Sequence, residues 1–111
     1  MSSTTVARGN AHETFYIGPT LTPTALTTSS VSSLQTFPIP GILSTDLASL
    51  VQFQGNQTSN IAVTNVDVTA ANAIQMQFQN ISGAATAITP AAGTYVFQII
   101  RSEGPLPTTA A

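Results

Sequence analysis

The chain has 111 residues, with two arginines, no lysine, four acidic residues, one histidine and no cysteine, and its formal net charge is −2. Two arginines are too few to neutralise the phosphates of a nucleic acid or the headgroups of an anionic membrane, so we expect neither partner. The absence of cysteine excludes disulfides and thiol chemistry. Charged residues make up 5% of the chain, against about 25% in typical soluble domains, which suits a protein whose surface is covered by neighbours.

The N-terminal part of the chain is predicted to be extended. Residues 1–11 are polar and lack the apolar core of a secretory signal, so none is expected. Residues 13–17 form a short β-prone run that ends at Gly18-Pro19, and Pro23 limits the following segment to an edge strand or an extended stretch. We therefore assign residues 1–17 to an N-terminal arm with a short edge strand.

Two strands are predicted in the middle of the chain, over residues 31–39 and 47–54. In the first, alternation places Phe37 and Ile39 on one face and Leu34 on the other. In the second, the apolar side chains expected to share one face are Leu47, Val51 and Phe53.

Residues 61–69 form a predicted strand whose alternation changes phase half-way along. The apolar pairs, each in its own phase, are Ile61 and Val63, then Val66 and Val68. A slip of one residue in an alternating pattern predicts a β-bulge, which we place near Thr64 and Asn65.

The clearest strand pattern covers residues 73–81, where apolar and amide side chains alternate. The apolar members are Ile74, Met76 and Phe78, and the amide members are Gln75, Gln77 and Gln79. Period-two alternation indicates one buried and one exposed face. Because the glutamines are uncharged, the exposed face could pack on another polar protein surface.

The last predicted strand covers residues 94–101 and carries apolar side chains on both faces. One face holds Tyr95, Phe97 and Ile99, and the other holds Val96 and Ile100. This pattern predicts burial on both faces, or one face at an interface.

Short strands with turn signals every 8–12 residues favour a β-sandwich or a small barrel. We therefore predict an all-β fold, a single small sandwich or barrel over residues 18–101. Gly104, Pro105 and Pro107 interrupt any strand ladder, so residues 102–111 are predicted to be an extended C-terminal arm.

Three short motifs lie between residues 61 and 101, and the last of them leads to a strand that ends in Arg101. They are Thr69-Ala70-Ala71-Asn72, Phe78-Gln79-Asn80 and Thr89-Pro90-Ala91-Ala92-Gly93-Thr94-Tyr95. This arrangement resembles small structural proteins of tailed-phage virions, of the capsid decoration (cement) and head-fibre type. Gln35-Thr36-Phe37 and Pro40-Gly41-Ile42 are similar to the second strand and turn of those proteins.

The resemblance implies a jelly-roll-like β-sandwich that forms homo-trimers on the virion and is assembled in the host cytoplasm. Its expected function is to bind the major capsid protein at junctions of capsid subunits and to stabilise the shell. The alternative is a tail-fibre or head-fibre module that binds a glycan of the host surface. The candidate interface residues are Arg8, His12, Phe15, Tyr16, Gln75, Gln77, Gln79, Tyr95, Arg101 and Leu106.

Catalysis and metal binding find little support in the sequence. His12 and Glu13 are the one adjacent histidine–acid pair, and no Gly-x-Ser-x-Gly motif presents a nucleophile. We expect His12 to lie in solvent or at an interface, and we expect no enzyme activity and no cofactor. A metal site within one chain is not expected with a single histidine, although three copies of His12 could meet on a trimer axis.

The remaining candidate residues each have two interpretations. Asp46 and Asp67 could form a general acid/base pair, but no spacing of partner residues supports one. Asp46 is rather expected to cap a turn after Ser44-Thr45, whereas Asp67 in a strand needs a partner, for which Arg101 is the natural candidate. The aromatic rings that could stack on a sugar, or pack in a core or interface, are those of Phe15, Tyr16 and Tyr95.

Overall fold

The computed structural model describes residues 12–26, 32–83, 86–102, 106 and 108. The fold is all-β, and no helix among these residues could cross a membrane. The strands are β1 (His12–Ile17), β2 (Thr20–Leu21), β3 (Ser32–Pro38), β4 (Leu47–Gln54), β5 (Ile61–Ala70), β6 (Ala73–Asn80) and β7 (Gly93–Ser102). They form two antiparallel sheets, consistent with the predicted small β-sandwich.

Sheet A has β7 at its centre, with β4 along one side and β1 and β2 along the other. β1 and β2 pair with β7 in one continuous register, so they act as a single edge strand interrupted at Gly18-Pro19. Pro19 lacks an N–H group, but its carbonyl accepts a hydrogen bond from the Tyr95 N–H at 3.0 Å. Residues 12–17, assigned from the sequence to the arm, are thus paired along their whole length with β7.

Sheet B has β6 at its centre, between β3 and β5. The predicted alternation of β3 is confirmed, because Phe37 and Ile39 are buried and Leu34 is exposed. The predicted bulge in β5 is also confirmed, since the register with β6 shifts between Val63 and Asn65.

The core lies between the two central strands. Alternate side chains of β6 and β7 are fully buried: Ile74, Met76, Phe78, Tyr95, Phe97 and Ile99. For β6 this is the alternation that the sequence predicts. Burying such a side chain stabilises the fold by about 1.5–3 kcal/mol relative to its exposure. The rings of Phe78 and Tyr95 meet edge to face across the core, with centroids 6.3 Å apart.

The predicted face of β4 is wrong. Leu47 and Val51 are exposed (47% and 50%), whereas Leu50 and Phe53 pack against the core. The physical reason is an irregularity in the pairing with β7, whose register shifts between Leu50 and Gln52. The extra residue changes the phase of the strand half-way along.

The two long sides of the sandwich differ. On the side of β2 and β3, the connecting segment is held inward by buried Pro23 and Leu26. Leu26 exchanges two backbone hydrogen bonds with Ile88, at 2.8 and 3.0 Å. On the side of β4 and β5 the two edge strands face each other without forming a ladder.

Candidate functional site

The described residues bring together no group of three His, Cys, Asp or Glu side chains that could hold a metal ion. The His12 side chain and Arg8 lie outside the described part of the chain. The features that could support a function are therefore the outer faces of the two sheets, the cluster around Arg101 and the space between β4 and β5.

The outer face of sheet A is uncharged and partly apolar. One row across the strands joins Tyr16 to Gln98 and Gln98 to Ser49, and the next row has Leu47 opposite Ile100. The Tyr16 ring is 64% exposed. An aromatic ring among amides, hydroxyls and aliphatic groups suits contact with another protein surface.

The outer face of sheet B carries the three glutamines of β6, which are half-buried between their neighbours. Leu34 on β3 and Asn65 on β5 flank Gln77, and the amide of Gln75 donates a hydrogen bond to the Thr36 hydroxyl at 3.4 Å. Asp67 lies exposed on this face, opposite Gln75. The predicted amide face therefore exists, and Asp67 supplies its one negative charge among the described residues.

Arg101 binds Asp46, so the expected pair of Asp67 and Arg101 is wrong. The Arg101 Nε donates to Asp46 Oδ1 at 2.9 Å and its Nη2 donates to Oδ2 at 2.7 Å. Asp67 lies exposed on β5, where a carboxylate needs no charged partner, and the turn before β4 brings Asp46 to Arg101 instead.

The Asp46 carboxylate also caps the turn that precedes β4, as the sequence predicts. It accepts the Leu43 N–H at 2.9 Å, and Arg101 donates a further hydrogen bond to the Gly41 carbonyl at 2.8 Å. The hydrogen bond from Arg101 holds the pKa of Asp46 below its ordinary value, against the opposite effect of burial. The cluster ties the end of β7 to the turn.

Phe15 and Arg101 are less available to a partner than expected. Phe15 packs against the core, and the Arg101 guanidinium lies over the Phe15 ring at 5.1 Å from its centroid. A cation–π contact of this kind adds to the ion pair in fixing the Arg101 side chain. These two residues therefore stabilise the body of the protein, and their assignment to an interface stays a prediction.

Tyr95 is fully buried and cannot touch a partner or a sugar, which corrects its assignment to an interface. Its ring packs on Phe53 with centroids 4.6 Å apart. Its hydroxyl donates to the Ala91 carbonyl at 2.6 Å and accepts from the Gln57 amide at 3.0 Å. Burial raises the pKa of the Tyr95 hydroxyl. Through its two hydrogen bonds the hydroxyl links the loop that contains Gln57 to the loop that contains Ala91.

Of the other candidate residues, Leu106 is exposed beyond the end of β7. Tyr16 remains the exposed ring of the three that could have stacked on a sugar. The outer faces thus keep Tyr16 and the three glutamines as available contact residues.

An open cleft of about 380 Å³ lies between β4 and β5. Its lining is uncharged and consists of Ala48, Ser49, Leu50, Val63, Thr64, Asn65 and Val66. Leu50, Val63 and Val66 also pack against the core while remaining half-buried. The core is therefore less completely covered here than on the side closed by Pro23 and Leu26.

Sequence reasoning missed a set of amide side chains that bind the backbone. Buried Gln35 accepts the Thr24 N–H at 2.8 Å and donates to the Thr24 carbonyl at 3.1 Å, and Asn72 accepts the Gly41 N–H at 2.9 Å. Gln35 lies in phase with Phe37 on its strand, and that phase was the available signal that it points inward.

Comparisons with protein-family models, with curated proteins and with solved structures give no match. The resemblance of the motifs in residues 61–101 to phage structural proteins therefore stays a hypothesis. The features of the molecule that bear most directly on function are the two outer faces.

Proposed function

We propose that this protein is a structural virion component that decorates and stabilises a capsid by binding at junctions of major capsid subunits. One observation carries the proposal. Among the described residues, Asp67 is the one Asp, Glu or Arg side chain on the outer faces of the two sheets, while Arg101 and Asp46 neutralise each other. Burying neutral side chains against a shell avoids the large desolvation penalty that buried charges carry.

The proposed mechanism is mechanical and involves no catalysis. The sandwich lies across a junction of capsid subunits, as a trimer, and residues 1–11 and 103–111 add contacts to neighbouring subunits. Repeated weak contacts around a symmetry axis then give an avidity that a single contact lacks.

The alternative is a fibre module that binds a host-surface glycan. It is supported by Tyr16, whose exposed ring lies beside Gln98 and could stack on a sugar. Phe15 and Tyr95 pack in or against the core, so their rings do not extend this stacking surface. Because one ring makes a small platform, the geometry favours the decoration role.

Electron cryomicroscopy of virions that carry this protein tests the proposal directly. We expect density for the sandwich at threefold or quasi-threefold positions of the shell. Density confined to the tail would contradict the decoration role. Binding of the purified protein in a glycan array, with no affinity for empty capsids, would favour the fibre module instead.

A further inference from the structure

The four edge strands of the sandwich differ in how they are protected from pairing with another chain. The edge formed by β1 and β2 carries Glu13 and is broken by Pro19, and β3 ends in Pro38. β5 carries Asp67 and two shifts of register. Charges, prolines and bulges are the features by which natural edge strands avoid edge-to-edge association.

β4 has the weakest protection. It has eight residues, contains no charged residue and no proline, and has one shift of register, between Leu50 and Gln52. β7 lies along one side of it, and among the described residues no strand pairs with its other side. An uncharged edge of this length exposes a row of backbone N–H and C=O groups. Another β-strand could form hydrogen bonds with the whole row.

Two further observations favour an additional strand at this edge. Leu47 and Val51 are exposed on β4, although both are aliphatic. The cleft beside β4 leaves Leu50, Val63 and Val66 half-buried. A strand added to β4 would cover both sets of side chains, because its alternate residues would lie over the outer face and over the cleft.

We propose that β4 pairs antiparallel with β4 of a second copy, across a two-fold axis near Ser49, and joins the two A sheets into one. The sequence of β4 is self-complementary about that point. The axis brings Leu47 opposite Val51 of the second copy, and Ala48 opposite Leu50 of the second copy. An interface of this isologous kind is the commonest way in which identical subunits associate.

This contact does not depend on the decoration role. If the protein also forms the trimer of the proposed function, the β4 contact joins neighbouring trimers, and the assembled species is a hexamer or larger. If it forms no trimer, the assembled species is a dimer. Failure of capsid binding would leave the β4 contact intact, so the two proposals fail separately.

A charge exchange at the paired positions tests the register. In the double variant Leu47→Lys/Val51→Lys, like charges face each other twice across the axis. In Leu47→Glu/Val51→Lys, opposite charges face each other twice. Analytical ultracentrifugation of the full chain should show the like-charge variant dissociating, with a dissociation constant raised about tenfold or more, and the opposite-charge variant associating as the wild type does.

The matched control is Leu34→Lys, which places a charge at an equally exposed leucine on the outer face of sheet B. It should leave the association unchanged, and circular dichroism should show all variants folded. A wild-type protein that is monomeric or trimeric at every concentration overturns the proposal. Equal dissociation of the like-charge and opposite-charge variants also overturns it.

Hydrogen exchange on the wild-type protein supplies a test that needs no variant. Amides of β4 that do not pair with β7 should exchange slowly at high protein concentration and faster on dilution. Edge amides of β3 should not change with concentration. Exchange at β4 that is fast and independent of concentration would refute the contact between copies.

Discussion

Asp46 makes the stability of this protein depend on pH. Its side chain is fully buried beneath Arg101, which donates two hydrogen bonds to it. Because its pKa in the folded protein lies below the ordinary value of 3.8, the ion pair contributes its full stabilisation above that pH. The contribution is lost as the pH falls through the lower pKa of the folded state.

Asp46→Asn should lower the melting temperature at neutral pH, because the amide cannot accept the same charge-assisted hydrogen bonds. The melting temperatures of wild type and variant should converge in strong acid, where the wild-type carboxylate is protonated. Thermal denaturation followed by circular dichroism over a pH series measures this. Asp67→Asn, at an exposed position on sheet B, should leave the neutral melting temperature unchanged; an equal loss there would contradict the role of Asp46.

Gly93 is a second residue that local geometry makes hard to replace. Its φ angle is 154°, and a Cβ atom added there would lie 2.9 Å from the Phe53 ring. Gly93→Ala should lower the free energy of unfolding by about 1–3 kcal/mol from backbone strain alone. Chemical denaturation should show a larger loss than for Gly83→Ala, where φ is 76° and no described atom lies within 4 Å.

At the scale of elements, Gln35 determines how the segment between β2 and β3 is attached. Gln35→Leu would remove both hydrogen bonds to the Thr24 backbone, each of which contributes about 0.5–1.5 kcal/mol. We expect faster hydrogen exchange at the Thr24 amide and reduced stability. Gln77→Leu, on the outer face of β6, should change stability by less than about 0.5 kcal/mol; an equal effect would contradict the special role of Gln35.

The strands show when a sequence pattern predicts correctly which face of a strand is buried. The alternation of Ile74, Met76 and Phe78 predicted the burial of β6 correctly, because its pairing with β3 is regular and the extra residues of its pairing with β5 lie in β5, so β6 keeps its phase. In β4 the same reasoning failed, since apolar residues occur in both phases and the irregularity at Val51 decides which phase faces inward. In β5 the phase change was visible in the sequence, so its bulge was predicted.

Contacts between distant residues were beyond that reasoning. Nothing in the composition distinguishes Asp46 from Asp67 as the partner of Arg101, because the choice depends on how the turn before β4 folds against the end of β7. Tyr95 was similarly ambiguous, since a buried tyrosine needs a hydrogen-bond partner that only the packed loops supply. The pattern within one strand predicts which face is inward. The partners of polar side chains such as Arg101 and Tyr95 depend on the tertiary structure.

At the scale of the whole molecule, the core of the described residues is built from side chains that follow the start of β1. β1 begins at His12, which pairs with Ser102 at the end of β7. Deletion of residues 1–11 leaves in place every core side chain of the described part of the chain, so we expect the truncated protein to melt at the same temperature as the full chain. The deletion therefore separates stability of the body from attachment to a shell.

On the proposed function, the truncated protein should attach more weakly to capsids that lack the decoration protein, because contacts to neighbouring subunits are lost from every copy. Attachment of the full chain should also tolerate high salt, since the outer faces carry almost no charge to be screened. Co-sedimentation with such capsids, over a series of salt concentrations, measures both effects. Unchanged attachment after truncation would show that the body alone makes the contacts, and a steep loss with salt would show that charged groups outside the two outer faces hold the protein to the shell.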